Sequence, residues 1–163
     1  MNAEWNIVDL WLRKDPVRWL AGAFAGLFAA IIIMVFAMLY CKSHGVDIWA
    51  PLKFPAIPVL GGAALEVGFQ IKAIVLGGLM FVVLALVLGV FYAHMTAVNH
   101  MGALFGVGIT WGVFSWIFIG NLFSSSFREM FVVDVPKNIS FLAWVIFGLS
   151  LMSVSFFDKK LRR

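Results

Sequence analysis

The sequence predicts an all-α fold, an integral membrane four-helix bundle formed as a single transmembrane domain. Two observations carry that expectation. The 163 residues are 63% hydrophobic and 12% charged, whereas soluble domains are about 45–50% apolar and about 25% charged. Apolar runs at about 17–41, 71–93, 101–123 and 139–157 each approach the ~20 residues that a bilayer-spanning helix requires. The mean hydropathy of +1.02 agrees.

The third run explains how such helices would hold together. It reads NHMGALFGVGITWGVFSWIFIGNLF from Asn99 and holds Gly102, Gly106, Gly108, Gly112 and Gly120 without a charged side chain. Gly102/Gly106 and Gly108/Gly112 have the small-xxx-small spacing that lets helix backbones approach closely in lipid. Each glycine costs about 1 kcal/mol in a helix, so close packing must repay them. Gly22 and Gly26 repeat the spacing early in the first run.

Ahead of the first run, residues 4–14 place Trp5, Val8 and Leu12 on one face, a pattern for a short interfacial helix. No cleavable signal is expected there, because Glu4 and Asp9 interrupt it and no small-residue cleavage site follows. Asp15-Pro16 reads as an N-cap followed by a proline in the first turn. Arg18 and Trp19 then form an expected interfacial anchor. Pro51, Pro55 and Pro58 forbid one regular helix through the next loop. Residues 63–70 are a candidate helical lead-in to the second span, with Glu66 and Gln70 on one face. The short connection His94 to Asn99 requires adjacent antiparallel helices. GAFAGLFAAIIIMVF from Gly22 also echoes GALFGVGITWGVFSW from Gly102, which suggests a parallel repeat of two helical hairpins.

Four spans put both termini on one side. Arg13, Lys14, Arg18, Lys159, Lys160, Arg162 and Arg163 lie there, against Lys42, Lys53, Lys72, Arg128 and Lys137 opposite. The positive-inside rule then places both termini in the cytoplasm, in a bacterial inner membrane. The net charge of +4 is accounted for by such flanking residues and implies no nucleic-acid partner. The lone Cys41 excludes an internal disulfide and a cysteine metal cluster.

Few residues suggest chemistry. His94 and His100 are the candidate cofactor ligands, for haem or chlorophyll, although interfacial hydrogen bonding is the simpler role. Glu66, Gln70 and Lys72 fit a proton or cation site less well than a solvated helix start. Thr110, Ser115, Asn121, Ser150 and Ser153 are the polar residues within spans, where such groups usually bond to their own or a neighbouring helix. No charged residue lies mid-span, which counts against proton pumps and ion-coupled transporters. Catalytic and nucleotide-binding motifs are absent, so no enzyme activity, metal or obligatory cofactor is expected. Trp19, Trp49, Trp111, Trp116 and Trp144 fit belt and lipid-facing roles better than pigment or quinone packing.

The AGAFAGLFAA run, the proline-rich loop ending in Gly-Gly and the GALFGVGITWG helix resemble small bacterial four-helix membrane proteins of the YagU-like kind. That resemblance implies the same architecture and brings no catalytic residues. The leading functional expectation is an accessory, non-catalytic subunit of a larger membrane complex, energy-converting or photosynthetic. Its partners would be the bilayer and other membrane subunits, docked through Trp49, Phe54, Phe127 and Phe131 beside Lys53 and Arg128. The alternatives are a homo-oligomeric small-molecule or lipid transporter or channel, and a haem- or pigment-binding protein.

Overall fold

The computed structural model describes residues 14–96, 100–127 and 137–163, with side chains through Phe118 in the third long helix. The interfacial helix expected at 4–14 lies outside the described residues, apart from Lys14. The described residues form an all-α membrane protein. The elements are α1 (Pro16–Ser43), α2 (Ala50–Lys53), a 3-10 turn (Phe54–Ala56), α3 (Ile57–Leu60), a second 3-10 turn (Gly61–Leu65), α4 (Ile71–Met95), α5 (Met101–Phe127), α6 (Lys137–Ser150), a third 3-10 turn (Leu151–Ser153) and α7 (Val154–Leu161). Helices α1, α4 and α5, and α6 continuing into α7, are long and apolar enough to make four membrane crossings.

Helix α1 begins as its sequence directs. The Asp15 carboxylate accepts from the Arg18 amide at 3.1 Å, and Pro16 occupies the first turn. Its buried stripe is Ala21, Gly22, Ala25, Gly26, Ala29 and Ala30, small enough for neighbouring helices to approach on two sides. Helix α4 packs on one side and α6–α7 on the other, so α1 is the central element. Leu20, Phe24, Phe28, Ile31, Val35 and Leu39 are left exposed along its outer face. In water such a stripe would be a liability, and in a bilayer it meets acyl chains.

The two hairpins close by the same crossing. A Cβ placed on Gly89 of α4 would lie 2.2 Å from the Gly22 carbonyl oxygen and 2.8 Å from Gly26 Cα. One placed on Gly148 of α6 would lie 2.1 Å from the Gly108 oxygen and 2.9 Å from Gly112 Cα. The flanking contacts correspond too, with Gly26 against Ala85 in one hairpin and Gly112 against Trp144 in the other. Each crossing seats one glycine between two glycines of an antiparallel helix. The resulting equivalence pairs Gly22 with Gly108, a register six residues from the echo seen in the sequence.

Contrary to expectation, Gly102 and Gly106 meet no other helix of this chain among the described residues. A Cβ at Gly106 would meet nothing within 4 Å, and one at Gly102 would meet only the His100 ring, at 3.5 Å. Six residues of helix turn through 600°, so Gly102 and Gly108 point 120° apart. Only one of the two pairs can face α6.

The loop 47–70 corrects a second expectation. Instead of a helical lead-in over 63–70, the turn ends at Leu65, and Gly68 takes φ 99°. Pro51, Pro55 and Pro58 each sit in the first turn of a separate short helix, where no amide is needed. Ala56, Ile57, Ala64 and Ala73 form a small second core there. The Leu52 carbonyl presses on α4 at Gly77, 2.1 Å from where a Cβ would stand.

The fourth crossing breaks at Leu151–Ser153. The Ser150 hydroxyl donates to the Ile146 carbonyl at 2.8 Å, a back-bond that bends helices. Beyond it, Val154, Ser155 and Asp158 form the buried face of α7 toward α1.

Candidate functional site

The most concentrated chemistry lies at the end of the bundle that carries both described termini. Arg18 is 2% exposed and Asp158 4%, and their side chains meet at 3.2 Å. The same guanidinium donates through Nε to the Ala93 carbonyl at 3.1 Å and through Nη2 to the Thr96 carbonyl. Those carbonyls belong to the end of α4, where the last turn leaves acceptors unpaired and the helix dipole favours a cation. One α1 side chain thus caps α4 and pairs with α7. Arg162 closes the circuit by donating to Asp158 at 2.9 Å and to Asp15. Two acids and two bases therefore alternate around the end of the bundle. Arg18 is thus buried inside the end of the bundle, although its position beside Trp19 suggests an anchor standing at the interface.

His94 is half-buried, and its Nδ1 accepts from Trp19 Nε1 at 3.2 Å. Accepting there fixes the proton on Nε2, the nitrogen a haem iron would use. His100 is exposed at the start of α5. The arrangement favours the hydrogen-bonding role for His94 over ligation.

A second ionic cluster lies at the opposite end. Lys53 is 2% exposed and donates to Asp47 at 2.5 Å and to the Glu66 and Gly68 carbonyls at 2.6 and 3.2 Å. Asp47 also accepts from the Trp49 and Gly68 amides, both at 3.1 Å. Burial pushes the Asp47 carboxyl up, but the Lys53 hydrogen bond, the two amides and the Lys53 charge together hold it below the usual range. Trp49 packs edge-on against Phe69 at 5.1 Å, and Phe54 packs on the small second core, each half-buried. Lys53 is thus inside the loop, not on the rim of a docking surface. The Phe127 side chain and Phe131 lie outside the described residues. Glu66 and Lys72 are exposed, with Gln70 donating to Glu66 at 2.5 Å.

Among the described residues, the buried polar atoms Trp111 Nε1, Ser115 Oγ and Ser153 Oγ have no hydrogen-bond partner. Trp111 stands edge-on to the fully buried Tyr92 at 6.0 Å, where α4 and α5 meet. Ser153 borders a cavity of about 280 Å³ with Met101, Met152, Ser155, Phe156 and Lys159. Among the described residues, no group of three His, Cys, Asp or Glu side chains is placed to hold a metal.

Comparison with known protein families, with characterised proteins and with solved structures gave no match. Asp158, Gly89 and Gly148 are the important residues that sequence reasoning missed. A terminal acid followed by four basic residues reads as a solvated tail, and Gly148 has no small residue four positions away, whereas Gly89 lies in an Ala85-xxx-Gly89-xxx-Ala93 run whose spacing could have marked it.

Proposed function

We propose that the chain is an accessory, non-catalytic subunit of a larger membrane complex, docking through the Gly102/Gly106 face of α5. The carrying observation is the open space at Gly106, on a helix whose other glycine pair is already seated against Gly148. Thr110 continues this exposed face, its hydroxyl turned back to the Gly106 carbonyl at 3.0 Å. Two glycines exposed to lipid cost helix stability of about 1 kcal/mol each. A transmembrane helix of another subunit, packed against them, would repay that cost. The buried charges support the same reading, since they tie the chain's own segments together. The complex would serve assembly or stabilisation.

Gentle detergent extraction and native-gel analysis test this. The chain should run far above its 18.1 kDa, together with unrelated polypeptides. Gly106→Leu should release it without lowering its own thermal stability. Recovery as a homo-oligomer that Gly106→Leu dissociates would favour a transporter or channel, and a stable lone monomer would remove both readings.

We further assign both termini to the cytoplasm of a bacterial inner membrane. The dense terminal bases Lys159, Lys160, Arg162 and Arg163 support this. Cys41 is buried, whereas Ser43 is exposed. A Cys41→Ala, Ser43→Cys protein should therefore react with a membrane-impermeant thiol reagent on intact cells. Reaction only after lysis would reverse the assignment.

A further inference from the structure

We infer that the cavity between the start of α5 and the α6–α7 bend binds the phosphate headgroup of an anionic phospholipid. The cavity holds about 280 Å³ and is bordered by Met101, Met152, Ser153, Ser155, Phe156 and Lys159. Its position sets its level, because Met101 opens one crossing and Lys159 is near the end of another. Both therefore stand at the same membrane surface, where headgroups lie.

The lining has the two halves that a phospholipid requires. Met101, Met152 and Phe156 supply an apolar wall, and Met101 and Phe156 are themselves 64% and 63% exposed toward the surroundings. An acyl chain can run along that wall from the bilayer. Lys159 supplies a cation whose immediate neighbour, Asp158, is already bound by Arg18 and Arg162. Its ammonium can therefore answer an outside anion. Ser153 Oγ is buried with no partner, in a span where serine hydroxyls normally bond back to their helix, as Ser150 does. An unmade hydrogen bond at such an atom is costly, and a turn of the Ser153 side chain toward the cavity would let its hydroxyl donate to a phosphate or glycerol oxygen there. The apolar wall favours a lipid over free phosphate, and the single cation favours an anionic over a zwitterionic headgroup.

The test uses the full chain, stripped of lipid in mild detergent and titrated with phosphatidylglycerol or phosphatidylcholine, with adducts counted by native mass spectrometry. One phosphatidylglycerol per chain should be retained at several times the occupancy of phosphatidylcholine. Lys159→Gln should lower phosphatidylglycerol occupancy about fivefold, the usual worth of one basic residue at a membrane surface. Ser153→Ala should weaken it as well, and Lys160→Gln should not. Lys159 is exposed, so its variant should keep the wild-type melting temperature. Equal retention of both lipids, or indifference to Lys159→Gln and Ser153→Ala, would overturn the proposal. So would millimolar inorganic phosphate binding with the same dependence on Lys159 and displacing the lipid, which would make this a free-phosphate site.

Discussion

Arg18 and Asp158 are 140 positions apart in the chain, and their side chains meet at 3.2 Å in the interior. The pair joins the first crossing to the last, while the same guanidinium closes the end of the second through Ala93 and Thr96. Three of the four crossings are thereby held at one end by one side chain.

Breaking this pair should be expensive. Asp158→Asn removes a buried carboxylate that pairs with the Arg18 guanidinium, and such losses run to about 3–5 kcal/mol. Arg18→Met should cost at least as much, because it also strands the Ala93 and Thr96 carbonyls. The Arg18→Met, Asp158→Leu double variant should lose clearly less than the two single changes combined, since neither half of the buried pair is left behind. Reversible denaturation in mixed micelles measures all three. Additive losses would show that the two residues act independently.

The twin glycine crossings make a comparative prediction. Gly89→Ala and Gly148→Ala each place a methyl little more than 2 Å from a backbone oxygen, Gly22 in one case and Gly108 in the other. Backbone cannot swing aside as a side-chain tip can, so each should destabilise by about 1–3 kcal/mol. The two losses should be similar, because the crossings are alike. Gly106→Ala should be neutral or stabilise by up to about 1 kcal/mol in the isolated chain. The same denaturation assay ranks them, and a loss at Gly106 equal to that at Gly148 would refute the assignment of faces.

What was legible in the sequence follows from what each signal specifies. Apolar length defines a crossing without reference to any neighbour, so the four spans and the Asp15-Pro16 start could be read directly. Small-xxx-small spacing marks a helix that can be approached closely, but not the helix that approaches. Gly102/Gly106 and Gly108/Gly112 have identical spacing, and only the placement of Gly148 separates the occupied face from the open one. The Arg18–Asp158 contact had no local signal at all. Arg18 sits where an interfacial anchor belongs, and only the bend at Leu151–Ser153 and the buried face of α7 reveal its partner. The prolines of the 50s loop are enough, from the sequence alone, to exclude one regular helix through it. That they would open three successive short turns depends on the core beneath them, at Ala56, Ile57 and Ala64.

At the other end of the bundle, acid should loosen the loop that Asp47 and Lys53 hold. The Asp47 carboxyl titrates lower in the folded loop than in the unfolded chain, because Lys53 and the Trp49 and Gly68 amides favour its charged form despite burial. The folded state therefore binds fewer protons, and the resulting stabilisation is fully present above the ordinary aspartate value of about 4. It is lost as pH falls through the lower folded value. Asp47→Asn should remove that acid-dependent part and, at neutral pH, leave the Lys53 charge buried beside carbonyls alone. Limited proteolysis of the 47–70 loop in reconstituted vesicles, with an acid-tolerant protease, reports its opening directly. Wild-type protein should resist cleavage at pH 7 and become more susceptible at a pH well below about 4. Asp47→Asn should be cleaved readily at both. If the variant is as resistant as wild type at pH 7, or if wild-type susceptibility does not change on acidification, Asp47 is not what closes the loop.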